Sequence, residues 1–137
     1  MIVVSNTSPL TNLAAINQFD LLRQLYQQIH IPSAVWSELN ANERSWPGRA
    51  DVARADWIVH HQITNQPLVL ALTIHLDRGE SEAIALAIEL GSDLILIDEA
   101  DGRHIAKRYG LQVIGVLGIL LAAKHQKLIE AVLPQVD

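Results

Sequence analysis

Residues 76–124 read "LDRGESEAIALAIELGSDLILIDEADGRHIAKRYGLQVIGVLGILLAAK", and the fold turns on how this stretch is divided. Gly79 to Leu90 reads as a helix, with Gly91 as the C′ residue that ends it. Asp93 leads into Leu94-Ile95-Leu96-Ile97, a continuous apolar run of the kind buried on both faces of a sheet. Asp101 is placed to cap a helix from Gly102 to Tyr109, which Gly110 ends. Gln112-Val113-Ile114 is a further strand. Leu117–Ala123 and Leu128–Leu133 are the expected final helices. Helices alternating with short strands that lack period-2 patterning call for a parallel sheet covered on both sides.

The N-terminal half fits the same plan. Ile2 to Ser5 is a first buried strand, and Thr7 or Ser8 can cap a helix that has Pro9 in its first turn. Leu10, Leu13 and Ala14 give that helix an apolar stripe. Asp20 starts a second helix with Leu21, Leu22 and Leu25. Ile29-His30-Ile31 is the second strand, and Pro32-Ser33 opens a helix with Val35 and Leu39 one turn apart. Residues 40–56 read as a polar loop followed by a short helix. Trp57-Ile58-Val59 is a short strand. For Leu68–Leu76 the pattern leaves helix and irregular structure both open. The predicted fold is a three-layer α/β/α sandwich around a central, mostly parallel sheet, with residues 1–137 forming one domain.

Composition narrows the function classes. The chain has 137 residues, 50% apolar and 4% aromatic, so its core must be aliphatic. A formal charge of −5 argues against a broad basic face that grips nucleic acid unaided. It leaves room for carboxylates that reach phosphates through a metal. The absence of cysteine excludes disulfides and thiolate zinc sites. The longest apolar run, around Val113 to Ala123, is interrupted by Gly115 and Gly118 and falls short of the ~20 residues that span a bilayer. A soluble cytoplasmic protein is the expectation. No HExxH, P-loop, GxGxxG or nucleophile elbow occurs. His60-His61 reads as surface polarity, and Gly115 and Gly118 as aids to helix–sheet packing.

In an open α/β sheet, ligands bind beyond the carboxyl ends of the strands. Polar clusters fall there at Ser5-Asn6-Thr7-Ser8 and at Asp98-Glu99-Ala100-Asp101. A third lies at the start of the Gly79 helix. Within that helix Glu80 shares a stripe with Ile84 and Ala87 and should point inward, where a carboxylate can also complement the helix dipole. Glu82 shares its stripe with Glu89 and is expected to face solvent. Asp98 and Glu99, adjacent after a buried strand, would repel without a cation or a proton. Hard divalent ions take such oxygen ligands, although a simple turn accounts equally well for Asp98. Asp101 reads as a cap, and Glu38 taken alone as a surface glutamate. Arg103, Lys107 and Arg108 form a basic helix face that begins beside these carboxylates and could hold a phosphodiester backbone.

Four stretches together resemble the PIN-domain superfamily, and in particular a compact bacterial PIN-like family described as predicted nucleic-acid-binding proteins. They are "VVSNTSPLTNLAAI" (3–16), "IHIPSAVWSEL" (29–39), residues 76–124, and "LIEAVLP" (128–134). The resemblance implies an acidic site around Mg²⁺ or Mn²⁺. Asn6 would stand where such proteins carry a first-strand aspartate. Glu38 would follow the second strand, Glu80 open the central helix, and Asp98, with Glu99 beside it, end the fourth strand. Glu38, Glu80 and Asp98 would be catalytic, and Thr7, Ser8, Arg103 and Lys107 would contact substrate. The activity implied is that of a metal-dependent ribonuclease, often the toxin of a toxin–antitoxin pair, with RNA, a cognate antitoxin and a second copy of the chain as partners. The departure is Asn6, which offers an oxygen but no charge. A nuclease-inactive domain that binds RNA or protein is therefore the competing expectation. A phosphotransfer domain ranks lower, because Asn6 removes its nucleophile.

Overall fold

The computed structural model describes residues 1–41 and 46–129. Five parallel strands form one sheet in the order β3-β2-β1-β4-β5. They are β1 (Val3–Ser5), β2 (Ile29–Pro32), β3 (Ile58–His61), β4 (Leu94–Leu96) and β5 (Val113–Ile114). The helices between them are α1 (Thr7–Ala15), α2 (Asp20–Tyr26), α3 (Ser33–Asn40), α4 (Arg49–Ala53), α5 (Gln66–Leu72), α6 (Arg78–Leu90), α7 (Ala100–Arg108) and α8 (Val116–His125). The α/β sandwich expected from the alternation is the observed architecture.

Each side chain of β1 and β4 has a face of the sheet to fill, which is why these strands carry no polar alternation. Val3 and Leu96 join the core under α1, α2 and α8, together with Leu10, Leu22, Ile119 and Leu120. Val4, Ile95 and Ile97 join the opposite core under α5, α6 and α7, with Val69, Ile84 and Leu86. Each such fully buried aliphatic side chain contributes about 1.5–3 kcal/mol. From Gly79 to Ala87 every residue of α6 is buried, so α6 is the central helix of its layer.

Several boundaries differ from expectation. The N-cap of α1 is Asn6 rather than Thr7 or Ser8. The N-cap of α7 is Glu99, and Asp101 lies in its first turn, so the helix starts two residues before Gly102. The undecided stretch 68–76 is covered up to Leu72 by α5, capped by the Asn65 side chain. The helix expected at Leu128–Leu133 lies mostly outside the described residues. Gly91 does end α6 in the left-handed conformation, with φ 59°.

Topology fixes where a site can form. From β1 the chain moves outward to β2 and β3, then crosses back to place β4 on the other side of β1. The strand order reverses between β1 and β4, paired in register from Val3 with Leu94 to Ser5 with Leu96. The crevice beyond their carboxyl ends is the switch point of the sheet, and Asn6 and Asp98 are the residues that emerge there.

Candidate active site

Asn6 continues β1 by one bond, its N–H donating to the Leu96 carbonyl at 3.0 Å. As N-cap of α1 its side chain would ordinarily accept from the first turn. It makes no such bond, it is 3% exposed, and its Oδ1 has no partner. A buried acceptor left open in this way is rare. Thr7, the next residue, donates its hydroxyl to Glu38 Oε2. Glu38 thus reaches back from α3 to the start of α1, although its side chain is exposed.

Glu80 enters from α6. Asp77 caps that helix, accepting from the Glu80 N–H at 2.8 Å, and holds Glu80 in the first turn. The side chain is buried and its Oε2 is the second acceptor without a partner. Burial, then the charges of Asp77 and Glu99, push its pKa up to about 7; the Asp77 backbone N–H pulls the other way. Asp98 is half-buried and fully engaged: Oδ1 accepts from Val116 N–H at 2.7 Å and Oδ2 from Asn12 Nδ2 at 3.0 Å. It ties the end of β4 to the start of α8 and to the second turn of α1. Glu99 is exposed and acts at Glu80 through its charge.

Three glycines make room for these carboxylates. A Cβ on Gly79 would collide with Glu38 Oε1, one on Gly102 would lie 2.5 Å from Glu80 Oε2, and one on Gly115 would lie 2.8 Å from Asp98 Oδ1. The starts of α6, α7 and α8 each seat one acidic side chain. Gly115 therefore gives space to Asp98, whereas Gly118 does pack against Ile114 as expected. Neither Gly79 nor Gly102 was legible as a site residue, because the partner carboxylate is distant in sequence.

Glu82 does not face solvent. It is 5% exposed against 4% for Glu80. Its Oε1 accepts from Ala34 N–H at the start of α3, and its Oε2 pairs with Arg78 at 2.9 Å. The stripe shared with Glu89 faces other helices: Glu89 Oε1 accepts from Thr64 and Asn65 N–H at the start of α5. Among the remaining expected contacts, Ser8 lies half-buried in the first turn of α1. Arg103 comes within 3.4 Å of the Gly115 Cβ position beside Asp98. Lys107 is exposed in the last turn of α7, about 10 Å along the axis from the helix start. His60 is exposed as expected, but His61 bonds His30 at 2.8 Å.

Among the described residues, no three His, Cys, Asp or Glu side chains are grouped closely enough to hold a metal by themselves. The donor set suits a looser centre. The open, buried oxygens of Asn6 and of Glu80, the latter over Gly102, are each suited to an ion that binds through one or two protein oxygens and completes its shell with water and phosphate. Hard divalent cations that keep part of their water shell bind in this way.

A family model described as a PIN domain matches residues 2–137. The chain belongs to the PIN-domain family. No curated protein matches it. Among solved structures, it resembles a PilT N-terminus domain protein from the hyperthermophilic archaeon Sulfolobus solfataricus P2, with a TM-score of 0.67 and 21% identity over 90% of this chain and 93% of that one. That likeness concerns the fold. PIN domains carry a nuclease-type fold and generally use divalent metals. In this PIN domain no helix among the described residues is long and apolar enough to cross a membrane.

Proposed function

We propose that this PIN domain, acting as one unit over residues 1–137, is an endoribonuclease that works with Mg²⁺ or Mn²⁺. The observation that carries this reading is the pair of buried, unpartnered oxygens, Asn6 Oδ1 and Glu80 Oε2, in the carboxyl-edge crevice. Both would contribute to holding the ion, with Asp98 and Glu99 supplying negative charge beside it. When bound, the ion supplies a water of lowered pKa and charge neutralisation at the scissile phosphate. Glu38, steadied by the Thr7 hydroxyl, would orient the attacking water by accepting a hydrogen bond from it. Asp98 keeps the crevice in shape through its bonds to α1 and α8. Thr7 and Ser8 approach phosphate from the start of α1, Arg103 from the start of α7, and Lys107 meets the strand farther out. A toxin's role in the cytoplasm, opposed by an antitoxin and carried out as a homodimer, accords with the family resemblance.

A second reading rests on Asn6. Replacing an anionic ligand by an amide weakens the field at the ion, and a domain that binds RNA without cleaving it would tolerate this. Incubation of a mixed RNA pool with the native protein in Mn²⁺, Mg²⁺ or EDTA separates the two. Cleavage that depends on the divalent ion and is lost in Glu80→Gln supports the nuclease. RNA retention with no cleavage in either ion overturns it.

A further inference from the structure

We propose that His30 and His61 form a proton-operated clasp between β2 and β3, closed while at most one of the two rings is charged and open when both are. It stands apart from the RNA-cleaving reading and lies outside the acidic crevice. Ile29 and Ile31 belong to the core under α1, α2 and α8. His30, between them, therefore points to the other layer, as does Val4, its neighbour in β1. His61 stands opposite Pro32, so its ring shares that face. His61 Nε2 lies 2.8 Å from His30 Nδ1, and the ring centroids are 5.0 Å apart.

At this distance one nitrogen donates its proton and the other accepts it. A neutral pair can do so, and a pair with one extra proton does so with charge assistance. Two imidazolium rings cannot, because donor would face donor and like charges would meet. The elements packed around the pair do not offset this. On α6, Glu82 is bound to Ala34 and Arg78, and Glu89 to the start of α5; Glu80 belongs to the crevice. Glu38 of α3 is turned to Thr7, and Asp20 and Arg23 of α2 pair with each other. Neither β1 nor α5 carries a charged residue. Burial, and then the charge of His61, hold the His30 imidazolium below its ordinary range.

The clasp has a structure to release. β3 is the outermost strand on its side of the sheet. Ser33, which opens α3, donates its hydroxyl to the His61 carbonyl at 3.1 Å. The start of α3, the helix that carries Glu38, thus hangs on β3 through Ser33 and on α6 through Ala34 N–H and Glu82. His60 is not part of the device. It lies 3.2 Å from Ser33 Oγ and stacks on Trp36. Its imidazolium can still donate to that oxygen, and an indole face accepts a cation. The sign of the pH effect follows from the pair. The unfolded chain takes up both protons near the ordinary histidine value of 6.5, whereas the closed clasp resists the second. The unfolded state then binds more protons, and this contribution to stability is lost as pH falls below about 6.5.

Thermal melts in EDTA at pH 7.5 and pH 5 test this with the native protein, His30→Gln, His61→Gln and, as a control, His104→Gln at an exposed position of α7. Glutamine keeps a donor and an acceptor but does not titrate. Between the two pH values the native melting temperature should fall roughly 3–5 °C further than that of either clasp variant. His104→Gln should follow the native protein, and the Glu80 titration, common to all, cancels in the comparison. Equal falls in the native protein and a folded clasp variant overturn the clasp, as does a His104→Gln profile that matches the clasp variants. Hydrogen exchange of the native protein, corrected for its intrinsic pH dependence, locates the release. Protection of residues 58–61 and of the first turn of α3 should drop at pH 5 at least tenfold more than that of β1 and β4. A uniform drop across the sheet overturns local release. Histidine ring ¹H–¹⁵N spectra of the native protein need no substitution: two separated titration steps for the pair support the clasp, and two independent steps at one midpoint overturn it.

Discussion

Glu80 carries an energetic cost that a proton or a cation relieves. Its carboxyl is buried at the start of α6 with one oxygen unpartnered and a pKa near 7. A folded-state pKa above the unfolded value means that the native state binds more protons between about pH 4.5 and 7. The contribution to stability is then fully present at low pH and is lost as pH rises through 7. Glu80→Gln removes the titration. It should stabilise the metal-free protein at pH 8 by ~1–2 kcal/mol, after screening by water at the crevice, and change little at pH 5. Thermal melts at the two pH values in EDTA check this; a gain that is equal at both would show that Glu80 is not the titrating group. Asp98 should behave in the opposite way. Both of its oxygens accept hydrogen bonds, so Asp98→Asn loses charge assistance at Val116 and the acceptor that Asn12 uses. It should cost about 1 kcal/mol in EDTA and more in the presence of a divalent ion, whose binding its charge assists. Two carboxylates of one crevice thus respond with opposite sign, because one is satisfied and the other is not.

At the scale of elements, the site is an arrangement of helix starts. The first turns of α6 and α7 and the N-cap of α8 hold Gly79, Gly102 and Gly115 beneath Glu38, Glu80 and Asp98. In each case the atom that a Cβ would meet is the far end of a side chain. Gly102→Ala, inside α7, should therefore fold with stability within about 1 kcal/mol of native, since alanine's helix propensity offsets the displacement. The same change should push the Glu80 carboxylate aside and reduce RNA cleavage at least tenfold. Denaturant melts beside cleavage rates measure the two effects; a parallel fall in both would mean the glycine serves packing only. Glu82 belongs to this scale as well. Linking α6 to the start of α3 through Ala34 N–H, it holds the helix that carries Glu38. Glu82→Gln should cost about 1–3 kcal/mol, more than Glu89→Gln at the exposed start of α5. Chemical denaturation of the two variants gives the ranking, and the reverse order would assign α3 another anchor. These links mark the limit of what the sequence could reveal. The unbroken Leu94–Ile97 run and the Gly91 stop were readable because their causes are local. The Glu80, Ile84, Ala87 stripe placed Glu80 inward for the same reason. Glu82 was misread because its partner lies 48 positions away, and a stripe shared with Glu89 looks identical whether it meets water or another helix. The start of α7 was set too late because Asp101 is a good cap by type, while Glu99 occupies the cap through backbone conformation alone.

For the whole molecule, the sheet order gathers residues from the two halves of the chain into one crevice, and the balance of charge there decides whether the fold is also a catalyst. Asn6 and Asp98 emerge on either side of the strand reversal because β4 returns to pair with β1. Native Asn6 supplies an oxygen without adding to the repulsion that Glu80 already feels from Asp77 and Glu99. Asn6→Asp should therefore lower stability in EDTA, as another carboxylate enters a buried position without a counterion. The same charge should tighten divalent binding. An ion present at ten times its dissociation constant stabilises the native state by about 1.4 kcal/mol. At a fixed Mn²⁺ concentration the variant should show the larger rise in melting temperature although it starts from a lower one. Melts of both proteins in EDTA and in a Mn²⁺ series, with isothermal titration for affinity, read the two effects separately. If Asn6→Asp is destabilised in EDTA and gains nothing from Mn²⁺, the open oxygen of Asn6 is not a ligand position. If the native protein gains as much from Mn²⁺ as the variant does, the amide is already a sufficient ligand, and the missing charge does not limit metal binding.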